Sequence, residues 1–87
     1  MALTTRERMV RAYMYSIYVD GTRSFTGHNG KPVVATSYHD EIKICAAGLL
    51  SFPQIDGALS SNNITEQEYL DTQTYIGAPE AESWKTK

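Results

Sequence analysis

Apolar positions along this chain recur with a helical period in four places. Met9, Val10, Tyr13, Met14, Ile17 and Tyr18 fall at i, i+1, i+4, i+5, i+8 and i+9, which is one face of an α-helix. Thr4-Thr5-Arg6-Glu7 stands ahead of that face as a T-x-x-E capping box, so the spacing predicts a helix over 4–19. A competing pattern runs through the same residues. Tyr13, Tyr15, Ile17 and Val19 alternate, and Asp20-Gly21 could turn a β-hairpin into Thr22–Phe25 across 12–26. The helical period spans more residues and has a start signal, so helix is preferred. Tyr38, Ile42, Cys45, Ala46 and Leu49 form a second stripe. Ser37 is its candidate cap, Asp40 and Glu41 sit near the positive helix end, and Gly48 and Ser51-Phe52-Pro53 close it, giving a helix over 37–49.

The densest local signals lie between Ser51 and Ile76. Ser51-Phe52-Pro53-Gln54 is an S-x-x-Q box with proline in the first turn, where a missing N–H costs nothing. Thr65-Glu66-Gln67-Glu68 is a further T-x-x-E box, and Ile64 and Tyr69 flank it at the spacing of a hydrophobic staple. Phe52, Ile55 and Leu59, and then Tyr69, Thr72 or Gln73, and Ile76, recur at helical spacing. Asn62 or Asn63 can take the left-handed conformation that ends a helix. Two short helices, 52–61 and 65–76, are therefore predicted on either side of an asparagine turn. The fold class is mainly α: a small bundle of about four short helices in a single domain, 1–87. Residues 20–36 form an irregular Gly-rich arm and 77–87 a loose C-terminal tail. Gly27, Gly30 and Pro32 break any helix in the arm, Asn29-Gly30 is a turn dipeptide, and Val33-Val34-Ala35 suits a short strand or packing arm. Gly77 and Pro79 are expected to stop the last helix.

The same residues carry a resemblance. The run IDGALSSNNITEQEYLDT, within residues 52–76, resembles the small bacteriophage tail-cluster proteins of the XkdX type. Their pattern is an apolar helix, a tight turn, Ile-Thr, two polar residues and Glu-Tyr. Ile55, Leu59, Ile64-Thr65 and Glu68-Tyr69 match it. That family usually has glycine in the turn; Asn62-Asn63 stand there in this chain and meet the same backbone need. Across 9–47, YSIYVDGTRSF and YHDEIKICA are similar to a second group of small phage tail-cluster proteins, with Gly21, Arg23, Ser24 and Phe25 at its Gly-basic-Ser-apolar step. Thr26 to Thr36 is an insertion relative to that pattern. The resemblance implies a structural or assembly protein associated with a phage tail, baseplate or neck. It would work through contacts with copies of itself or with other virion proteins, in the virion or the bacterial host cytoplasm.

Composition narrows the chemistry. A chain of 87 residues buries a modest core, and oligomerisation is a natural supplement. Its six tyrosines either wrap that core or line a subunit interface. Charge is unevenly spread. Residues 1–31 carry five basic and two acidic side chains, whereas 32–87 carry three basic and eight acidic. Opposite-signed halves can attract within a monomer or between neighbours in an assembly. Arg6, Arg8 and Arg11 read as a solvated helix face, too weak a field for a phosphate site. The single Cys45 lies in an apolar stripe, suits a reducing compartment and reads as a buried, inert thiol. No apolar run approaches the roughly 20 residues of a membrane span, and charges interrupt the N-terminus where a signal peptide would be apolar.

No catalytic signature emerges. His28 and His39 lie eleven residues apart in the sequence without further ligands at metal-site spacing. There is no phosphate loop and no nucleophile elbow. No enzyme activity, cofactor, metal or small-molecule substrate is expected. Contact residues are expected at Tyr15, Tyr18, Arg23, Phe25, Val33 and Trp84. Trp84 is either a docking anchor on a neighbour or a residue folded onto its own core. The alternative function is a small phage or prophage regulatory binder. In one form 52–76 acts as a helix-turn-helix on nucleic acid; in another an acidic face inhibits a host protein. Glu66, Glu68 and Asp71 on 65–76, with no Lys or Arg, count against nucleic acid.

Overall fold

A computed structural model describes residues 3–87. Among these residues the chain is mainly helical, with α1 at Thr5–Tyr18, α2 at His39–Leu49, α3 at Phe52–Ser60, α4 at Glu66–Thr74 and α5 at Pro79–Glu82. Three short 3-10 turns, His28–Gly30, Thr36–Tyr38 and Ser83–Thr86, fill the connections and the end. The α1 helix runs through Tyr13, Tyr15 and Ile17, so the alternating pattern there does not become a hairpin. Helical periodicity wins because it puts Val10, Met14, Ile17 and Tyr18 on one buried face.

All three capping boxes form. Thr4 accepts from the Glu7 N–H at 3.1 Å while the Glu7 carboxylate accepts from the Thr4 N–H at 2.9 Å. Ser51 with Gln54 and Thr65 with Glu68 repeat the arrangement. Asn62 takes the left-handed conformation with φ of 63°, which turns α3 back towards α4.

Helix α2 is the axis, packing against α1, α4 and α5. Ile42, Cys45 and Ala46 are buried on it, and Val10, Met14, Ile17, Ile55, Ala58 and Ile64 close around them. Its start differs from expectation. Ser37 does not cap it. A 3-10 turn at Thr36–Tyr38 leads in, and the Ser37 carbonyl accepts from Arg6 Nη2 at 3.0 Å. Nor does Gly48 end it. Gly48 lies inside α2, where a Cβ would run into the Ala81 carbonyl oxygen. Glycine serves there for close approach, letting the C-terminal segment rest on the helix.

That approach explains the largest correction. Residues 77–87 are not a loose tail. Gly77, with φ of 84°, ends the α4 region, and Pro79 opens α5 at a first-turn position rather than stopping a helix. Ala81 and Trp84 are buried against α2. Lys87 Nζ then pairs with Glu7 at 2.5 Å, joining the end of the chain to its first helix. Phe52 also departs from its expected stripe. It is 54% exposed in the first turn of α3, and Ile55 and Ala58 do the burying.

Apart from the 3-10 turns at His28–Gly30 and from Thr36 onward, the 20–36 arm lacks regular structure, yet it is anchored. Ser24 and Val33 make one isolated parallel bridge, flanked by Ser24 N–H to Pro32 O at 2.9 Å and Val34 N–H to Ser24 O at 3.0 Å. Phe25 and Val34 are buried in the core.

Candidate protein-interaction surface

The six expected contact residues divide into two groups. Tyr18, Phe25 and Trp84 belong to the core, and this corrects their expected role as surface contacts. Tyr18 donates its hydroxyl proton to Thr72 Oγ1 at 2.6 Å, because Thr72 spends its own proton on the Glu68 carbonyl at 2.8 Å. Burial pushes the Tyr18 hydroxyl pKa up, so this donor stays protonated. Phe25 meets Tyr18 and His39 edge-on, with ring centres 5.9 and 5.0 Å away, and the Lys43 ammonium lies 5.3 Å from its ring centre. Trp84 lines a hollow of about 270 Å³ together with Glu7, Glu41 and Lys87. Of the two fates open to this residue, it folds onto its own core.

Tyr15, Arg23 and Val33 remain at the surface. Val33 is 59% exposed beside the bridge to Ser24. The Arg23 guanidinium lies over the Tyr13 ring, 5.4 Å from its centre. Tyr15 lies on the outer face of α1 with Arg8, Ala12 and Val19, all exposed. These residues recur at i, i+4, i+7 and i+11, a single stripe opposite the buried face. Residue type in the sequence singles out Tyr15 but not Val19, and not Leu70 on α4, which is 46% exposed. The signal for both is their position: each lies opposite its helix's buried residues, Ile17 for α1 and Glu68 and Thr72 for α4. A second hollow, of about 190 Å³, lies between Tyr18 and Val19 at the end of α1 and Gln54, Gly57 and Ala58 of α3.

Charge is partly used up inside the monomer. Arg6 pairs with Glu41, Lys43 with Asp71, Lys85 with Glu82 and Lys87 with Glu7. The Lys43 ammonium and the Gln67 amide hold the Asp71 carboxyl below the usual carboxylate range. Lys87 and the Thr4 backbone do the same for Glu7. Arg8, Arg11, Arg23 and Lys31 have no ion-pair partner among the described residues, and all lie in the first part of the chain. Of the acidic residues, Asp40, Asp56, Glu66, Glu68 and Glu80 in the second part and Asp20 in the first are likewise outside the ion pairs among the described residues. The opposite-signed halves are thus only partly neutralised by folding.

The remaining candidate chemistry is accounted for by local bonding. His28 Nε2 meets Asn62 Oδ1 at 2.8 Å and His39 Nε2 meets the Val34 carbonyl at 2.8 Å. Among the described residues no group of three or more His, Cys, Asp or Glu is placed to hold a metal ion. Burial pushes the Cys45 thiol up to about 12, far from the thiolate that a nucleophile needs. Tyr69 donates its hydroxyl proton to Asp56, tying α4 to α3, and that bond raises the Tyr69 pKa. No helix among the described residues is long and apolar enough to cross a membrane. No family model, no curated protein and no solved structure matches this chain.

Proposed function

We propose that this chain is a small structural or assembly protein of a tailed bacteriophage, associated with tail, baseplate or neck and acting through protein–protein contacts. The observation that carries the reading is the likeness of residues 52–76 to the XkdX-type pattern: an apolar helix, a turn, Ile64-Thr65 and Glu68-Tyr69. The α3–α4 hairpin supports it by giving each matching residue a structural duty. Ile64 is fully buried, Thr65 and Glu68 cap α4, and Tyr69 ties α4 to Asp56. The outer faces add support. Tyr15 and Val19 on α1 and Leu70 on α4 are large apolar side chains left in water beside charged residues, a composition suited to contact with another polypeptide.

The helix-turn-helix alternative is weaker on these faces. Helix α4, which would be the recognition helix, exposes Glu66 and Leu70 and has no Lys or Arg to meet a phosphate backbone. The test is a phage carrying a stop codon early in this gene, grown on suppressing and non-suppressing hosts. The expected result is incomplete or non-infective particles from the non-suppressing host alone. Equal yields of infective particles with complete tails from both hosts would overturn the reading.

A further inference from the structure

The two outer stripes are complementary to each other. On α1, Arg11 and Tyr15 are four residues apart, and Arg8 and Val19 extend the row in both directions, all exposed. On α4, Glu66 and Leu70 are four residues apart and exposed. In both helices the charged residue is N-terminal and the apolar one follows about 6 Å along the axis. Laid side by side and parallel, one stripe sets Arg11 against Glu66 and Tyr15 against Leu70. Arg11 and Glu66 have no ion partner among the described residues, so this pairing breaks nothing already made.

The two stripes cannot meet within one molecule. Both α1 and α4 turn their other faces into the core around α2, with Val10, Met14 and Ile17 on one and Thr72 on the other. Their stripes therefore face solvent on separate helices. The geometry points to a second copy of this chain as the occupant: the α1 stripe of one copy docks on the α4 stripe of the next. This inference rests on the reading above only in taking protein contact as the chain's role. Because the two docking faces differ, the contact is head-to-tail, and repetition closes a ring or extends a filament. Each single contact is small, a few side chains on each partner, so it belongs to the weak, salt-sensitive class. A ring strengthens it because the last contact is intramolecular.

The experiment uses purified full-length protein in sedimentation velocity at about 100 μM and low salt, a concentration suited to weak contacts. Wild type is expected to sediment above the monomer and to return towards it as salt rises. Arg11→Glu and Glu66→Lys each set like charges against each other and are expected to sediment as monomers. An equal mixture of the two variants is expected to assemble again. The acidic side chain introduced by Arg11→Glu in one variant then meets the basic side chain introduced by Glu66→Lys in the other. The two stripes left unaltered, one on each variant, also meet. Both substitutions are at exposed positions, and unchanged circular dichroism checks that the fold survives. A monomeric wild type, or single variants that assemble as wild type does, would overturn the pairing. So would a mixture that stays monomeric. None of these results bears on the phage experiment, which reads particles and not self-association.

Discussion

The α3–α4 hairpin and the 20–36 arm touch each other, yet they are specified in opposite ways. The hairpin's caps and turn act within a few residues: Ser51 with Gln54, Thr65 with Glu68, and the left-handed Asn62 between the helices. The Tyr69–Asp56 bond between the two helices reaches further. The arm's short-range bonds, such as Gly27 N–H to Ser24 Oγ at 2.8 Å and Gly30 N–H to the Gly27 carbonyl at 3.0 Å, make turns but no helix longer than three residues. Its one bridge links Ser24 to Val33, and its apolar anchors Phe25 and Val34 insert among residues of α1 and α2. Its outer end is held by the hairpin. Asn29 Nδ2 donates to the Asn62 carbonyl at 2.9 Å, His28 meets Asn62 Oδ1 at 2.8 Å, and Lys31 Nζ donates to Asn63 Oδ1 at 3.3 Å. Asn63 in turn donates to the Tyr18 carbonyl at 3.3 Å. Asn62 and Asn63 form the turn between α3 and α4. Glycine would satisfy the backbone alone, whereas asparagine satisfies the backbone and clasps the arm.

The difference teaches that short-range hydrogen bonding makes a segment legible, and long-range packing makes it stable. The largest expected effect tests the second half of that statement. Phe25→Ala empties a fully enclosed site between Tyr18, His39 and Lys43 and should cost about 3–5 kcal/mol, in the range for deleting a buried aromatic ring. In a domain of this size that is a large share of total stability. Urea unfolding followed by circular dichroism measures it. A loss below about 1 kcal/mol would mean that the arm is a surface strap and not part of the core.

Gly48→Ala probes a second segment held from a distance. A Cβ at this position meets the Ala81 carbonyl carbon and oxygen, which are backbone atoms and cannot rotate away. Helix propensity favours alanine over glycine by about 1 kcal/mol, and the clash opposes it. Overpacking of this kind costs roughly 1–3 kcal/mol, so the net change is a loss. It should be concentrated in 79–86. Trp84 fluorescence is expected to shift to the red as the segment lifts off α2. A variant more stable than wild type, with unshifted emission, would show that the close approach constrains nothing.

How far the sequence could be read follows the same division. Three capping boxes, the asparagine turn and the buried faces of α1 and α2 were legible, because each signal lies within one or two helical turns. The tail was not. Gly77 and Pro79 mark a break, and nothing within 77–87 says that a glycine in α2, far earlier in the chain, leaves room for Ala81. The role of Trp84 was illegible for the same reason. Among the contact candidates, Tyr15 and Val33 lie at the surface while Tyr18 and Phe25 lie in the core, since an aromatic ring is equally suited to a core and to an interface. The exposed stripes depend on which side of each helix the core takes. That was readable for α1 from its apolar period, and obscure for α4, where the buried positions are Glu68 and Thr72. A carboxylate and a hydroxyl do not announce burial. They are buried because Thr65 and Tyr18 satisfy them.

Asn62→Gly is the smallest and sharpest test, because one residue serves both regions. Glycine takes the left-handed conformation without strain, so the hairpin keeps its turn bonds from the residue 62 N–H to Leu59 O and from Asn63 N–H to Ala58 O. The bond from Asn29 to the residue 62 carbonyl also survives, since that carbonyl belongs to the backbone. Only the side-chain bonds to His28 and Asn29 are lost. Global stability should fall by less than about 1 kcal/mol, because these groups are exposed and water replaces their partners. Hydrogen exchange should separate the two regions more clearly than stability does. The Gly30 and Lys31 amides, bonded to Gly27 and His28 carbonyls within the arm, are expected to lose protection severalfold. Amides of α3 and α4 should keep theirs. Equal loss in both would show that the turn needs the asparagine side chain for itself. Unchanged protection throughout would show that Phe25 and Val34 hold the arm without the clasp.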